Sequence, residues 1–199
     1  MSIFDPNKQE MNLASKINVG LERVSQAYKV LLWEKAKQVG LSPIQIQIIL
    51  FLAYHDRGLA NVSHLAQEFN VTKPTISDAI KALEKKDLIL KDYSSSDNRS
   101  YTIVLSDKGT SVVNISEDFA GPLNDQIGRL PKQDQEYFFK LLTQLIYGLN
   151  RNGILSVQRT CFGCRFYRNS TKGHFCNFLE KSLVDSEIRL DCPEFESAH

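Results

Sequence analysis

Leu13, Ile17, Leu21, Val24, Tyr28 and Leu31 follow one another at steps of four and three, which places them on one face of a helix. The pattern predicts a long helix over residues 7–39, ending at Gly40. Ser42, Pro43 and Gln45 then mark a fresh helix start: a serine N-cap, proline in the first turn and a glutamine able to close a capping box. The helix that follows, to residue 54, is apolar nearly all round and is expected to be buried. His55, Asp56, Arg57 and Gly58 break the pattern. Two shorter helices come next, over residues 62–69 and 73–87, joined by Asn70, Val71 and Thr72. Thr72 suits an N-cap, and Pro74 is tolerated in a first turn. On the second of these helices Ile76, Ile80 and Leu83 form the inward stripe, leaving Lys73, Thr75, Ser77, Asp78 and Lys81 facing elsewhere.

The period then changes to two. Residues 89–93 and 101–105 read as strands, the second alternating through Tyr101, Ile103 and Leu105, with a polar hairpin tip over residues 94–100. Ser106 can cap a helix that runs to about residue 120 and breaks at Gly121 and Pro122. A last helix, residues 132–149, carries Phe138, Leu141, Leu142, Leu145 and Leu149 on its inner face. The expected fold is mainly α with a small β-hairpin wing: a winged helix-turn-helix with helical dimerisation arms, followed by a small cysteine-rich module. The division falls at residues 1–150 and 151–199.

Helix, tight turn, helix and hairpin in this order suit duplex DNA, whose major groove admits a helix and shows a distinct donor and acceptor pattern for each base pair. Lys73 and Lys81 can reach phosphates or guanine edges, while Thr75 and Ser77 are short groups that can donate or accept. Arg99, at the wing tip, is long enough to enter a flanking minor groove. Composition adds little. The net charge is only +1, so a DNA contact has to rest on where the charges sit.

The residues that carry a more specific likeness are ordered. They are Leu41, Ser42, Pro43, Gln47 and Leu50; Leu65 and Ala66; Val71 through Ser77; Leu83 through Lys86; Asp97, Asn98 and Arg99; and Leu105 through Gly109. In order and spacing these resemble the MarR family, over roughly residues 7–150. The resemblance implies a symmetric homodimer, built from the first and last helices, on a near-palindromic double-stranded operator. It implies base and phosphate contacts from Thr72, Lys73, Thr75, Ser77 and Lys81, with Arg99 as a minor-groove arginine braced by Asp97. Two positions depart from the family pattern. Asp87 stands where glycine usually follows the recognition helix, so a different helix ending is expected. Asp78 would repel phosphate unless it pairs with Lys81 or accepts from a cytosine amino group. The usual effector pocket is not legible.

All four cysteines lie after residue 160. Cys161, Cys164, Cys176 and Cys192 have the spacing C-x2-C-x11-C-x15-C, with Pro193 next. Two thiolates on one short turn and two more from elsewhere suit tetrahedral zinc, and also an iron–sulfur cluster. Zinc is the favoured cofactor and the cluster, which would make the chain a redox sensor, the alternative; disulfides or a redox dithiol make a third reading. His174 is expected beside the site or at the surface, though it could replace one cysteine. Interleaved aromatics, among them Phe162, Phe166, Tyr167 and Phe178, offer a small core, and Arg151, Arg159, Arg165, Arg168 and Lys172 could offset a tetrathiolate's charge. The N-terminal residues are polar and no run is long enough to span a bilayer. The expected setting is therefore the cytoplasm without membrane contact, where disulfides are rare.

Together these features predict a non-catalytic, homodimeric transcription regulator, a repressor by preference, with a metal at its cysteines and a small-molecule effector among its candidate partners. The rivals are a thiol oxidoreductase using Cys161 and Cys164, for which the usual βαβ context is missing, and a helix-turn-helix used only for protein docking.

Overall fold

The computed structural model of the chain describes Asp5 and residues 12–93, 101–170 and 173–198. Helix α1 (Leu13–Val39) starts at Asn12, whose side chain accepts from the amides of Ala14 and Ser15. It ends at Gly40, which takes φ 67°, while the Leu41 amide donates back to Ala36 O at 2.9 Å. That is the left-handed termination glycine permits at no steric cost. Helix α2 (Pro43–Tyr54) opens with the expected reciprocal capping box between Ser42 and Gln45 and leaves α1 at 87°. Ile46, Ile48, Ile49 and Phe51 of α2 are buried, as its all-round apolar sequence requires.

A single turn at Arg57–Leu59 leads to α3 (Val62–Glu68) and α4 (Lys73–Lys85). Leu65 and Ala66 of α3 and Ile76, Ala79, Ile80 and Leu83 of α4 join α2 in the main core, which Leu88, Ile89, Ile103 and Val113 close from the other side. The wing consists of β1 (Ile89–Asp92) and β2 (Thr102–Leu105), antiparallel with Ile89 opposite Leu105 and Asp92 opposite Thr102. Its tip, with Asp97 and Arg99, lies outside the described residues. Asp87 adopts φ 59°, the left-handed conformation a glycine would supply. Helix α4 therefore ends as the glycine pattern would have it, contrary to expectation, because aspartate tolerates this conformation better than most residues.

Helix α5 (Asp107–Ser116) is capped by Ser106. The break expected at Gly121 and Pro122 is instead the start of a further short helix, α6 (Gly121–Gly128), with Pro122 in its first turn. Proline at that position needs no amide partner, so it opens a helix as readily as it ends one. Helix α7 (Lys132–Arg151) follows. Its expected inner face is largely outside: Phe138, Leu141 and Leu145 are exposed, as are Leu13, Ile17, Val24 and Tyr28 of α1. Both apolar stripes read from the sequence thus exist, and among the described residues neither is more than partly covered. Among the described residues, no single helix is long and apolar enough to cross a membrane.

The C-terminal segment holds a sheet that the sequence did not announce: β3 (Tyr167–Ser170), β4 (Gly173–Cys176) and β5 (Lys181–Leu183), antiparallel in that order. Cys161, Leu183 and Ile188 are its buried centre, with Phe162 and Tyr167 and with Phe139 of α7 packed against them.

Gly109 fixes how α5 meets the wing. A Cβ there would lie 2.0 Å from the carbonyl oxygen of Leu88, backbone that cannot swing aside. Gly109→Ala is expected to destabilise the fold by about 1–3 kcal/mol, read as a lower denaturation midpoint; an unchanged midpoint would show that the wing gives way freely.

Candidate functional site

Helix α4 divides cleanly. Its buried stripe faces the core, while Lys73, Thr75, Asp78 and Lys81 are exposed and Ser77 is half-buried. Lys73, Ser77 and Lys81 recur every four residues and therefore share a face. Thr72 caps the helix, accepting from the Thr75 amide at 3.3 Å, and its hydroxyl also lies 2.8 Å from that of Thr75. Lys81 Nζ stands 3.2 Å from Asp78 Oδ1. This is the pairing that removes the objection to an acidic group on this face, though between two exposed side chains it is weak and can open toward a phosphate. The five described residues expected to touch DNA lie along one helix and its cap; Arg99 and Asp97 are not among the described residues.

The cysteines also converge. Cys161, Cys164, Cys176 and Cys192 line one cavity of about 30 Å³, walled by Phe166, Tyr167, Phe178 and Leu183. All four are unbridged. Burial pushes the Cys161 and Cys192 thiols up from their ordinary range, against hydrogen bonds from Arg189 that favour the thiolate. The Arg189 amide donates to Cys161 Sγ at 3.3 Å, and its guanidinium reaches Cys192 Sγ at 3.6 Å. Among the described residues, no three or more His, Cys, Asp or Glu side chains are arranged to hold a metal ion. The sulfurs share a pocket without being drawn into a ligand shell. His174 is engaged at both ring nitrogens, Nδ1 2.6 Å from the Tyr167 hydroxyl and Nε2 2.9 Å from Asp185 Oδ1. Burial raises the Tyr167 phenol to about 12, which keeps it a neutral partner for that ring.

Of the cations expected to offset sulfur charge, Arg159 and Arg165 are spent on carboxylates; Arg189, which the sequence reading passed over, touches the sulfurs. Arg159 instead joins the module to the helix-turn-helix. Its guanidinium donates to both oxygens of Glu68, at 2.7 and 3.0 Å, and to Asp191 at 2.5 and 3.1 Å. It also lies over the Phe51 ring, 5.7 Å from its centre. Glu68 is the last residue of α3. His55, at the end of α2, completes the cluster with Nε2 2.7 Å from Asp191. Burial alone would push the Asp191 carboxyl up, but Arg159 and His55 together hold it below the usual range. His64 is held below the ordinary histidine range, chiefly by burial. In the turn between α3 and α4, Asn70 takes φ 54°. Its side-chain Nδ2 donates to Ile154 O at 3.2 Å, and its side-chain Oδ1 accepts from the Ser156 hydroxyl at 2.7 Å. Glu68, Asn70, His55 and Asp191 carry no local motif, and only the fold brings them together.

Residues 39–97 match the family model described as MarR family. Among solved structures, the chain is similar to the transcriptional regulator PA3341 (25% identity, 68% of this chain and 98% of that one, TM-score 0.59). It is also similar to the MepR–DNA complex of S. aureus (22% identity, 67% and 97%, TM-score 0.58). A third is the Staphylococcus aureus MarR in complex with salicylate and kanamycin (18% identity, 72% and 97%, TM-score 0.61). No curated protein sequence matches the chain. The segment that carries α2 through β1 is thus matched to the MarR family, and the fold around it is the winged helix of MarR-type transcriptional regulators.

Proposed function

We propose that this chain is a homodimeric, sequence-specific DNA-binding regulator that represses by occupying an operator and excluding polymerase. The observation that carries this is the polar exposed side of α4, with Lys73, Ser77 and Lys81 in one row flanking the buried stripe of Ile76, Ile80 and Leu83, beside a two-stranded wing. Such a helix can enter the major groove with its side chains aimed at phosphates and base edges. Arg99, braced by Asp97, would add a minor-groove contact from the wing. The likeness to MepR, solved with DNA, supports the same use of the fold. The dimer is supported by the uncovered apolar stripes of α1 and α7, since monomers seldom leave contiguous patches of this kind to water. Two copies would then present two α4 helices to successive major grooves. A small-molecule effector is part of the reading, because the similar MarR of Staphylococcus aureus was solved with salicylate and kanamycin. No catalytic step is assigned to the chain.

The cysteines belong to the same reading as a zinc site. Four thiols lining one cavity offer the all-sulfur donor set that tetrahedral zinc takes. Arg189 would stabilise the thiolates once the protons are displaced. So small a module gains most of its folding energy from such a site.

Two measurements follow. Zinc-loaded protein should run as a dimer and select a duplex from a random pool. Lys73→Ala should weaken that duplex, and related sequences with it, while lowering the salt slope by about 1; a monomer indifferent to duplex DNA at low ionic strength would overturn the regulator reading. Elemental analysis after anaerobic purification should find one zinc per chain with four protected thiols, and Cys164→Ser should lose the metal. Brown, iron-bearing protein would replace zinc with a cluster, and four reactive thiols whatever metal is supplied would remove the site.

A further inference from the structure

Resting on that reading, we propose that the four-thiol pocket regulates DNA binding, acting on the helix-turn-helix through the Arg159–Glu68–Asp191 clamp. The geometry is direct. Residues 159–161 and 189–192 run side by side: Arg159 and Asp191 form a bridge, the Cys192 amide donates to Arg159 O at 3.1 Å, and the Cys161 amide donates to Arg189 O at 3.1 Å. Cys161 lies two residues after Arg159, and Cys192 directly follows Asp191. A metal ion shared by Cys161 and Cys192 therefore clips together the two segments whose side chains grip Glu68.

The grip lands where it matters. Glu68 ends α3, its guanidinium partner is only 12% exposed, and its own side chain is 18% exposed. Two residues on, Asn70 is held in its left-handed turn by Ile154 and Ser156 of the same C-terminal segment. The link between the two helices of the DNA-binding unit is thus fastened on both sides to the segment leading into the cysteines. With the metal bound, the two segments that grip the end of α3 and the turn into α4 are held together more rigidly. With the metal removed, residues 159–161 and 189–192 keep their backbone bonds, the Arg159–Asp191 pair and the Arg189 contact to Cys161, but lose the link between Cys161 and Cys192, and the clamp is held less rigidly. A binding helix held in place before contact spends less free energy on ordering when it docks, so loaded protein binds DNA more tightly. Linkage makes the effect reciprocal: DNA must strengthen metal binding by the same factor.

The test uses full-length protein under reducing conditions and the duplex that zinc-loaded protein selects from a random pool. Stripping zinc should weaken that duplex by about tenfold, within the usual span of coupling between sites. Adding the duplex should slow zinc transfer to a chelator. Glu68→Gln, on the helix-turn-helix side and remote from the sulfurs, should keep one zinc per chain yet bring the loaded-to-stripped affinity ratio close to one. Arg159→Gln serves as the second variant, with far-ultraviolet circular dichroism checking the fold of both. Equal or tighter duplex binding by stripped protein would overturn the inference, as would a full metal effect in both variants. Failure of loaded protein to select any duplex would instead remove the regulator reading, and failure to hold zinc would remove the metal site; either takes this inference with it.

Discussion

The placement of the C-terminal module depends on one guanidinium. Arg159 is nearly out of water and satisfies two carboxylates at once, one from the helix-turn-helix and one from the segment that leads into Cys192. Fork-to-fork pairing of this kind fixes direction as well as distance. Its worth lies in the contrast with the broken state: a buried carboxylate deprived of its cation costs several kcal/mol, whereas the intact pair adds little over apolar packing. The clamp is therefore an orienting device. The main core of Ile48, Leu65, Ile80 and Leu83 supplies stability, and the clamp decides where the appended module sits upon it.

That arrangement leaves two surfaces with distinct tasks. The row of α4 that carries Lys73 and Lys81 is polar and exposed at both lysines, alongside the buried stripe. The stripes of α1 and α7 are apolar and open, and in the proposed dimer they are the surfaces brought together. The thiol pocket lies on neither. It is tied to the end of α3 through Arg159 and Asp191, the route by which, in the proposed regulator, chemistry at sulfur would reach α4.

Much of the fold was legible because its signals are local. The Ser42–Gln45 capping box, Gly40 as helix stop, Thr72 as N-cap and the alternation from Tyr101 to Leu105 each depend on a few neighbouring residues, and each appears as read. The failures have local causes too. Gly121 and Pro122 suit a helix start as well as a stop, and the ambiguity hid α6. Asp87 takes a glycine's conformation, so an apparent departure from the family pattern changed nothing. The strands from Tyr167 to Leu183 carry no clean alternation, because their sheet is small and its faces are shared with cysteines and half-exposed aromatics. The site divided in the same way. Lys73, Thr75, Ser77 and Lys81 could be picked out by helical period, and the four cysteines by spacing. Glu68, Asn70, His55, Arg189 and Asp191 could not, since their partners lie as far as 136 positions away.

The most direct measurement is a double-mutant cycle on Glu68 and Arg159, each changed to alanine singly and together, followed by denaturant unfolding of the full chain. The account predicts a coupling energy of about 0.5–3 kcal/mol, the range for residues in one salt-bridge network. Additive effects, with coupling near zero, would mean that the module is not held to the helix-turn-helix through this guanidinium.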